Sequence, residues 1–216
     1  YHRIWYGDSP GNLFLRRSTE ESVFSLLEKH GLRERLGHFR IMEVGCGGGH
    51  ILTQFVRWGA NENLMFGVDL IEARVKSAQA KLPAGSFQCA DAADLPYPNQ
   101  FFDLILQFTM LSSVLDQAVR RKVAKEMLRV LKPGGFIVSF DTRYPNPQNP
   151  NTRPVPKSEF RSYFQGCRLA YYPVLLIPQL ARFLAPFSIS LCRFLERCPV
   201  LRSHYLTVIE KSAGQK

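Results

Sequence analysis

The sequence has no apolar run long enough to cross a bilayer. No stretch without a charged residue exceeds 13 residues, and the one from Leu169 to Ala181 holds two prolines, whereas a spanning helix needs about 20 apolar residues. There is no Gly-Lys-Ser/Thr, which excludes a phosphate-binding P-loop. There is no Cys-x-x-Cys either. The five cysteines, at 46, 89, 167, 192 and 198, are odd in number and without metal-type clustering, so free thiols in a reducing, cytoplasmic setting are expected ahead of a disulfide frame, and no Cys-x-x-Cys zinc module is present. A chain that opens on Tyr1 without Met leaves a preceding leader open. No internal repeat or low-complexity tract is present.

At 216 residues and 45% hydrophobic, the chain can bury one good core, and a single domain over 1–216 is the default expectation. The net charge of +10 is uneven. Residues 1–143 carry 18 Lys and Arg against 15 Asp and Glu, and residues 144–216 carry 10 against 3. A nearly neutral first part is thus followed by a cationic tail, suited to an acidic or phosphorylated small molecule, nucleic acid or an anionic membrane surface.

The most informative segment is Ile41-Met42-Glu43-Val44-Gly45-Cys46-Gly47-Gly48-Gly49-His50. An apolar run ending in an acid and then four glycines in five positions lets a ligand approach the backbone, because glycine has no Cβ and accepts positive φ. A strand entering this loop and a helix leaving it, over about 50 to 58, place free N–H groups beside a ligand. The dinucleotide fingerprint Gly-x-Gly-x-x-Gly fails here, since its third position falls on His50.

Glu43-x-Gly45-x-Gly47-x-Gly49 resembles the first motif of the class I S-adenosylmethionine (SAM) dependent methyltransferases, of the small-molecule type 11/25-like kind. Further stations follow in order: Met65-Phe66-Gly67-Val68-Asp69, Phe87-Gln88-Cys89-Ala90-Asp91-Ala92, Phe101 to Gln107, and Leu131-Lys132-Pro133-Gly134-Gly135-Phe136-Ile137-Val138. The resemblance covers residues 40–141 well and the tail loosely. It implies an α/β, Rossmann-like class I methyltransferase fold: a seven-stranded, mostly parallel sheet with an antiparallel last strand and helices on both faces. It also implies SAM as cofactor, S-adenosylhomocysteine as product, and no metal. SAM contacts are implied at Glu43, Gly45, Cys46, Gly47 and Gly49, at Asp69 (on the ribose hydroxyls) with Leu70, at Asp91 (on the adenine amine) with Ala92, and at Gln107 with Phe108.

Periodicity agrees with an alternating order of elements. Strands are expected at about 40–44, 64–69, 86–90, 102–107, 135–141, 168–177 and 204–210. Helices are expected at 72–82, 116–131 and 158–164, with an apolar helical stretch over 179–196. A capping box, Ser18 with Glu21, is expected to open the first helix. Lys132-Pro133-Gly134-Gly135 reads as a helix stop and turn, and Asp103 as structural. Residues 1–38 form an N-terminal cap, and Tyr6 in it is a candidate substrate contact. The insert at about 178–202 is expected to be a lid or substrate wall, with Leu180, Phe183, Leu184, Phe187, Leu191, Phe194 and Leu195 as its apolar face.

A sulfonium methyl is already electrophilic, so the protein chiefly holds an acceptor in line, with a base of use for a hydroxyl. Asp141 and His204 are the candidate proton acceptors, and Tyr144 a candidate substrate contact. Gln107-Phe108-Thr109-Met110 stands where methylators of nucleic-acid amino groups carry Asn-Pro-Pro-Tyr/Phe, so nucleic acid is not the expected partner. A small-molecule, natural-product or glycan acceptor is expected, oxygen ahead of nitrogen. Methylation of RNA, protein or lipid through the basic tail, and a non-catalytic SAM-binding module, are the alternatives; peripheral membrane contact is the lesser expectation.

Overall fold

The computed structural model describes residues 7–146 and 149–214. The chain runs α1 (Pro10–Lys29), β1 (Ile41–Val44), α2 (His50–Arg57), β2 (Met65–Asp69), α3 (Glu72–Lys81), β3 (Ser86–Cys89), β4 (Phe102–Phe108), α4 (Met110–Ser113), α5 (Gln117–Val130) and β5 (Leu131–Thr142). It continues with α6 (Lys157–Tyr163), β6 (Arg168–Leu176), α7 (Pro178–Leu184), α8 (Ile189–Glu196) and β7 (Arg202–Glu210). The seven strands form one sheet in the order β3-β2-β1-β4-β5-β7-β6. β7 alone is antiparallel, to β5 on one side and β6 on the other. The expected sheet is therefore the observed one.

Alternation along each strand builds two cores. Ile41, Leu104, Leu106, Val138 and Val208 face one side and pack with α1 and α2. Met42, Val44, Ile105, Ile137 and Ile209 face the other and meet Val123 and Met127 of α5. The order reverses between β1 and β4, which opens a crevice beyond their carboxyl ends. The glycine loop lies there.

Three elements differ from expectation. The cap of α1 lies nine residues before Ser18: Ser9 is the N-cap, accepting from the Asn12 N–H at 3.3 Å, and Pro10 occupies the first turn. Ser18 instead lies inside the helix, 6% exposed, and its hydroxyl donates to the Glu196 carboxylate. β5 absorbs Lys132-Pro133-Gly134-Gly135, with Gly134 at φ +72° and the register to β4 slipping between Phe102 and Leu104. The segment is a bulge within a strand. Asp103 is structural as expected, accepting from the Arg40 N–H and pairing with Lys132 at 2.6 Å. The 179–196 stretch is two helices, broken at Pro186, which cannot donate within a helix.

Candidate cofactor and acceptor site

The backbone N–H groups of Gly45 and Cys46 both donate to the Val68 carbonyl, at 2.8 and 2.9 Å, folding the loop over the end of β2. Gly45, Gly47 and Gly49 all have positive φ, +74°, +51° and +74°. Their surroundings separate their roles. A Cβ on Gly45 would stand 2.7 Å from Met110 Cγ, and one on Gly49 3.0 Å from Ala78 Cβ, whereas one on Gly47 would meet nothing within 4 Å. The outer two glycines allow close packing of protein on protein. Gly47 borders open space that a ligand can fill.

Asp69, 7% exposed, ends β2 beside that space. Its Oδ2 accepts from the Gly47 N–H at 2.9 Å and its Oδ1 from the Ile71 N–H at 3.0 Å, with Arg74 3.9 Å away. The carboxylate is thereby oriented while each oxygen keeps accepting capacity for a hydroxyl. Leu70 follows at 70% exposure, an apolar platform at the rim. Glu43 is 2% exposed, and its Oε2 has no hydrogen-bond partner. Burial first, and the charge of Asp69 second, push its carboxyl well above the usual range. The Cys46 thiol is pushed up by burial, and further by Glu43 and Asp69, which makes it inert. This rim fits a nucleoside with two adjacent hydroxyls: a fixed carboxylate, a glycine with space beside it, and an exposed apolar side chain.

The remaining candidates divide. Asp91 is exposed, with Oδ1 accepting from the Ala93 N–H at 2.9 Å, and Ala92 is half-buried beside it. Phe108 stacks on Phe140 at 5.6 Å. The Gln107 side chain is turned inward: its Nε2 donates to Ser139 Oγ and Asp141 Oδ2, and its Oε1 accepts from the Leu111 N–H at 3.2 Å. Asp141, 2% exposed, also accepts from the Ser112 N–H at 3.0 Å. Burial raises its carboxyl to about 6 against the lowering effect of Gln107 and Ser112. His204, 3% exposed, lies flat on Phe140 at 4.6 Å, with Nδ1 2.8 Å from Ser203 Oγ. Asp141 and His204 thus share the expected edge, and both side chains are buried there. Tyr144 is 40% exposed beneath the Arg143 guanidinium, 5.0 Å from its ring centre. Tyr6 lies outside the described residues.

Sequence reasoning missed the support of the segment that follows β5. Arg120, fully buried, pairs with Glu159 at 3.0 Å and donates to the carbonyls of Val114 and Arg153 at 2.5 and 2.8 Å. Tyr163 adds its hydroxyl to Glu159 at 2.6 Å, and the Arg153 N–H reaches the Ser112 carbonyl at 2.8 Å. The segment after β5 is thereby fastened to α4. A basic residue on the α5 heptad reads as surface, and nothing local marks it as a buried strut.

Holding His204 neutral has a consequence for stability. Burial lowers its pKa from 6.5 to about 3, so its contribution is intact above pH 6.5 and is lost as the pH falls toward 3, with a slope of up to about 1.4 kcal/mol per unit. Asp141, raised to about 6, acts in the opposite sense and favours the fold once protonated. Urea unfolding at pH 7.5 and pH 5.0 is expected to cost the wild type about 2 kcal/mol more than it costs His204→Gln. Equal losses in the two proteins would show that the imidazole titrates normally within the fold.

Among the described residues, no helix is long and apolar enough to cross a membrane, and no three His, Cys, Asp or Glu side chains stand together as metal ligands. Residues 41–135 match the family model of a methyltransferase domain. The tRNA (carboxymethyluridine(34)-5-O)-methyltransferase of Arabidopsis thaliana is 32% identical over 99 residues, covering 45% of this chain and 22% of that protein. The 27-O-demethylrifamycin SV methyltransferase of Amycolatopsis mediterranei is 30% identical over 108 residues, covering 47% of this chain and 38% of that one. The chain spans less than half the length of these curated relatives. A crystal structure of a SAM-dependent methyltransferase from Archaeoglobus fulgidus superposes with a TM-score of 0.63 at 17% identity, covering 92% of this chain and 98% of that one. The family-model match over residues 41–135, together with a strand order and overall fold shared with SAM-dependent methyltransferases, supports the class I SAM-dependent methyltransferase family for this chain.

Proposed function

We propose that this chain transfers a methyl group from SAM to a small-molecule, natural-product or glycan acceptor, with oxygen the preferred nucleophile. The arrangement of Gly47 and Asp69 carries the reading: an oriented carboxylate at the end of β2 facing the one motif glycine with open space beside it. SAM supplies the electrophilic sulfonium methyl. The protein's part is to fix the donor along Gly45–Gly49, Asp69, Leu70 and Asp91, and to hold the acceptor near Phe108 and Tyr144. The rifamycin relative, whose name records an O-demethylated small molecule, supports this acceptor class.

The tRNA relative and the cationic tail favour a second reading, an RNA acceptor. Against it, several of the tail's cations are engaged internally: Arg153 with Glu159, Arg202 with the Glu196 and Pro173 carbonyls, and Lys211 with the Leu128 and Leu131 carbonyls. Transfer of labelled methyl from SAM to a panel of hydroxylated metabolites, glycans and bulk tRNA tests both. Turnover on tRNA alone would reverse the order of the readings, and tight SAM binding with no turnover on any class would make the chain a binding module.

Asp141 acts in this scheme by positioning the turn that follows β4. Asp141→Asn is expected to lower kcat at least fivefold, at all pH values alike, with SAM affinity within about twofold of wild type. Loss of a single acid limb near pH 6 would instead make Asp141 a base that gains access to the acceptor.

A further inference from the structure

The two helices between β6 and β7 bury one side and leave a large apolar surface on the other. Ala181, Ala185 and Cys192 are buried, and Leu180, Leu184 and Leu195 pack against the core. α7 crosses α1 closely, Gly11 lying against Arg182, and Arg193 pairs with Glu21 of α1 at 3.0 Å. Outward stand Phe183 at 68%, Phe187 at 80%, Phe194 at 66%, Ile189 and Leu191 at 42%, and Val200 at 70%. These six are more than half of the eleven large apolar side chains exposed among the described residues. Leu191 and Phe194, three apart, share a face of α8. A patch of this kind on a folded chain marks a surface that something covers.

Charge selects what covers it. Arg197 stands exposed beside the patch; Arg182 and Arg202 keep their charge while donating to Asn12 and to backbone carbonyls, and Arg193 shares its charge with Glu21 of α1. The one acid of the insert, Glu196, is turned inward, where its carboxylate accepts from Ser18 and from the Leu176 N–H at 3.1 Å. The outer face is therefore aromatic, aliphatic and cationic, with no carboxylate of the insert directed at it. A second copy would oppose the net positive charge of this face to itself, which like charges disfavour. An anionic bilayer complements both halves: phenylalanine rings enter the interface while arginines meet the headgroups. We infer that the α7–α8 insert docks this protein on anionic membrane surfaces, through Phe183, Phe187 and Phe194 with Arg197 at the headgroups. The Tyr144 hydroxyl lies 3.5 Å from the Val200 carbonyl, so the patch continues to the segment that follows β5, and docking would bring the acceptor side to the lipid. The inference is independent of methyl transfer, since a chain inactive on every acceptor could still bind vesicles.

Co-sedimentation with vesicles tests it, using phosphatidylcholine alone and phosphatidylcholine with about 30% phosphatidylglycerol. Wild type is expected to bind the anionic vesicles, more weakly in about 0.5 M than in about 0.1 M salt. The double variant Phe187→Ser/Phe194→Ser, altered only at exposed positions, is expected to bind at least tenfold more weakly with an unchanged Tm. Arg197→Glu is expected to weaken binding to the anionic vesicles. Absence of binding to anionic vesicles would overturn the inference, as would undiminished binding by the double variant. Sedimentation equilibrium showing a wild-type dimer that the same two substitutions dissociate, without vesicle binding, would assign the face to a second copy and overturn it equally.

Discussion

Asp69→Ala is expected to weaken SAM binding about a hundredfold, measured by calorimetric titration with SAM and S-adenosylhomocysteine. The substitution removes the carboxylate proposed to hold the ribose hydroxyls and also the acceptor that orients the Gly47 N–H. Hydrogen bonds to a charged group contribute roughly 1.5 to 3 kcal/mol each, so losing the pair easily reaches two decades. Gly47→Val is expected to act at least as strongly, because it places a β-branched side chain at φ +51° and fills the only vacant glycine position of the motif. Gly49→Ala differs in kind. Its Cβ would press on Ala78, so the loss appears in stability as well as in affinity. Unchanged affinity in both Asp69→Ala and Gly47→Val would remove the nucleoside from this rim.

The largest effect on stability is expected at Arg120. Arg120→Ala removes a fully buried guanidinium and leaves Glu159, 6% exposed, without its main charge partner. Breaking one member of a buried pair costs about 3 to 5 kcal/mol, which lowers Tm by about 10 °C in a chain of this size. Burial alone would raise the Glu159 carboxyl, yet bonds from Tyr163 and Arg120 hold it below the usual range. The loss therefore exposes the full desolvation of that group. Arg120→Met/Glu159→Leu, which removes both charges, is expected to recover much of the loss in calorimetric melts. A drop of less than about 3 °C in Arg120→Ala would show that water or a side-chain shift replaces the pair. SAM affinity, measured well below Tm, is expected to stay near wild type, because the pair supports α6 and the segment after β5, away from the glycine loop.

Much of the cofactor half is legible before any coordinates exist, and the reason is local. Gly45, Gly47, Gly49 and Asp69 sit at strand ends where only backbone geometry and an acid are required, so their spacing along the chain reports their positions in space. The strands around them are short apolar runs between turn signals, and their limits fall within one or two residues, apart from the early start of β5. The acceptor half resists the same reading. Phe183 and Leu184 are adjacent and equally apolar, yet one is exposed and the other packs on the core. The choice depends on where α1 crosses α7, a contact between residues some 170 positions apart. Asp141 and His204 are placed at the correct edge by strand register, Thr142 opposite His204, but register carries no information on depth below the surface. Ser18-x-x-Glu21 misleads because a capping box is a local pattern, and an earlier Ser9-Pro10 start supersedes it.

β7 is the last strand described, and it is inserted between two strands made before it. Until Arg202–Glu210 has been synthesised, β5 and β6 each show a row of unsatisfied backbone groups to whatever is near. A nascent chain halted before Arg202 therefore carries two adhesive borders, and any dependence on chaperones during synthesis should peak over that interval and end when β7 closes the gap.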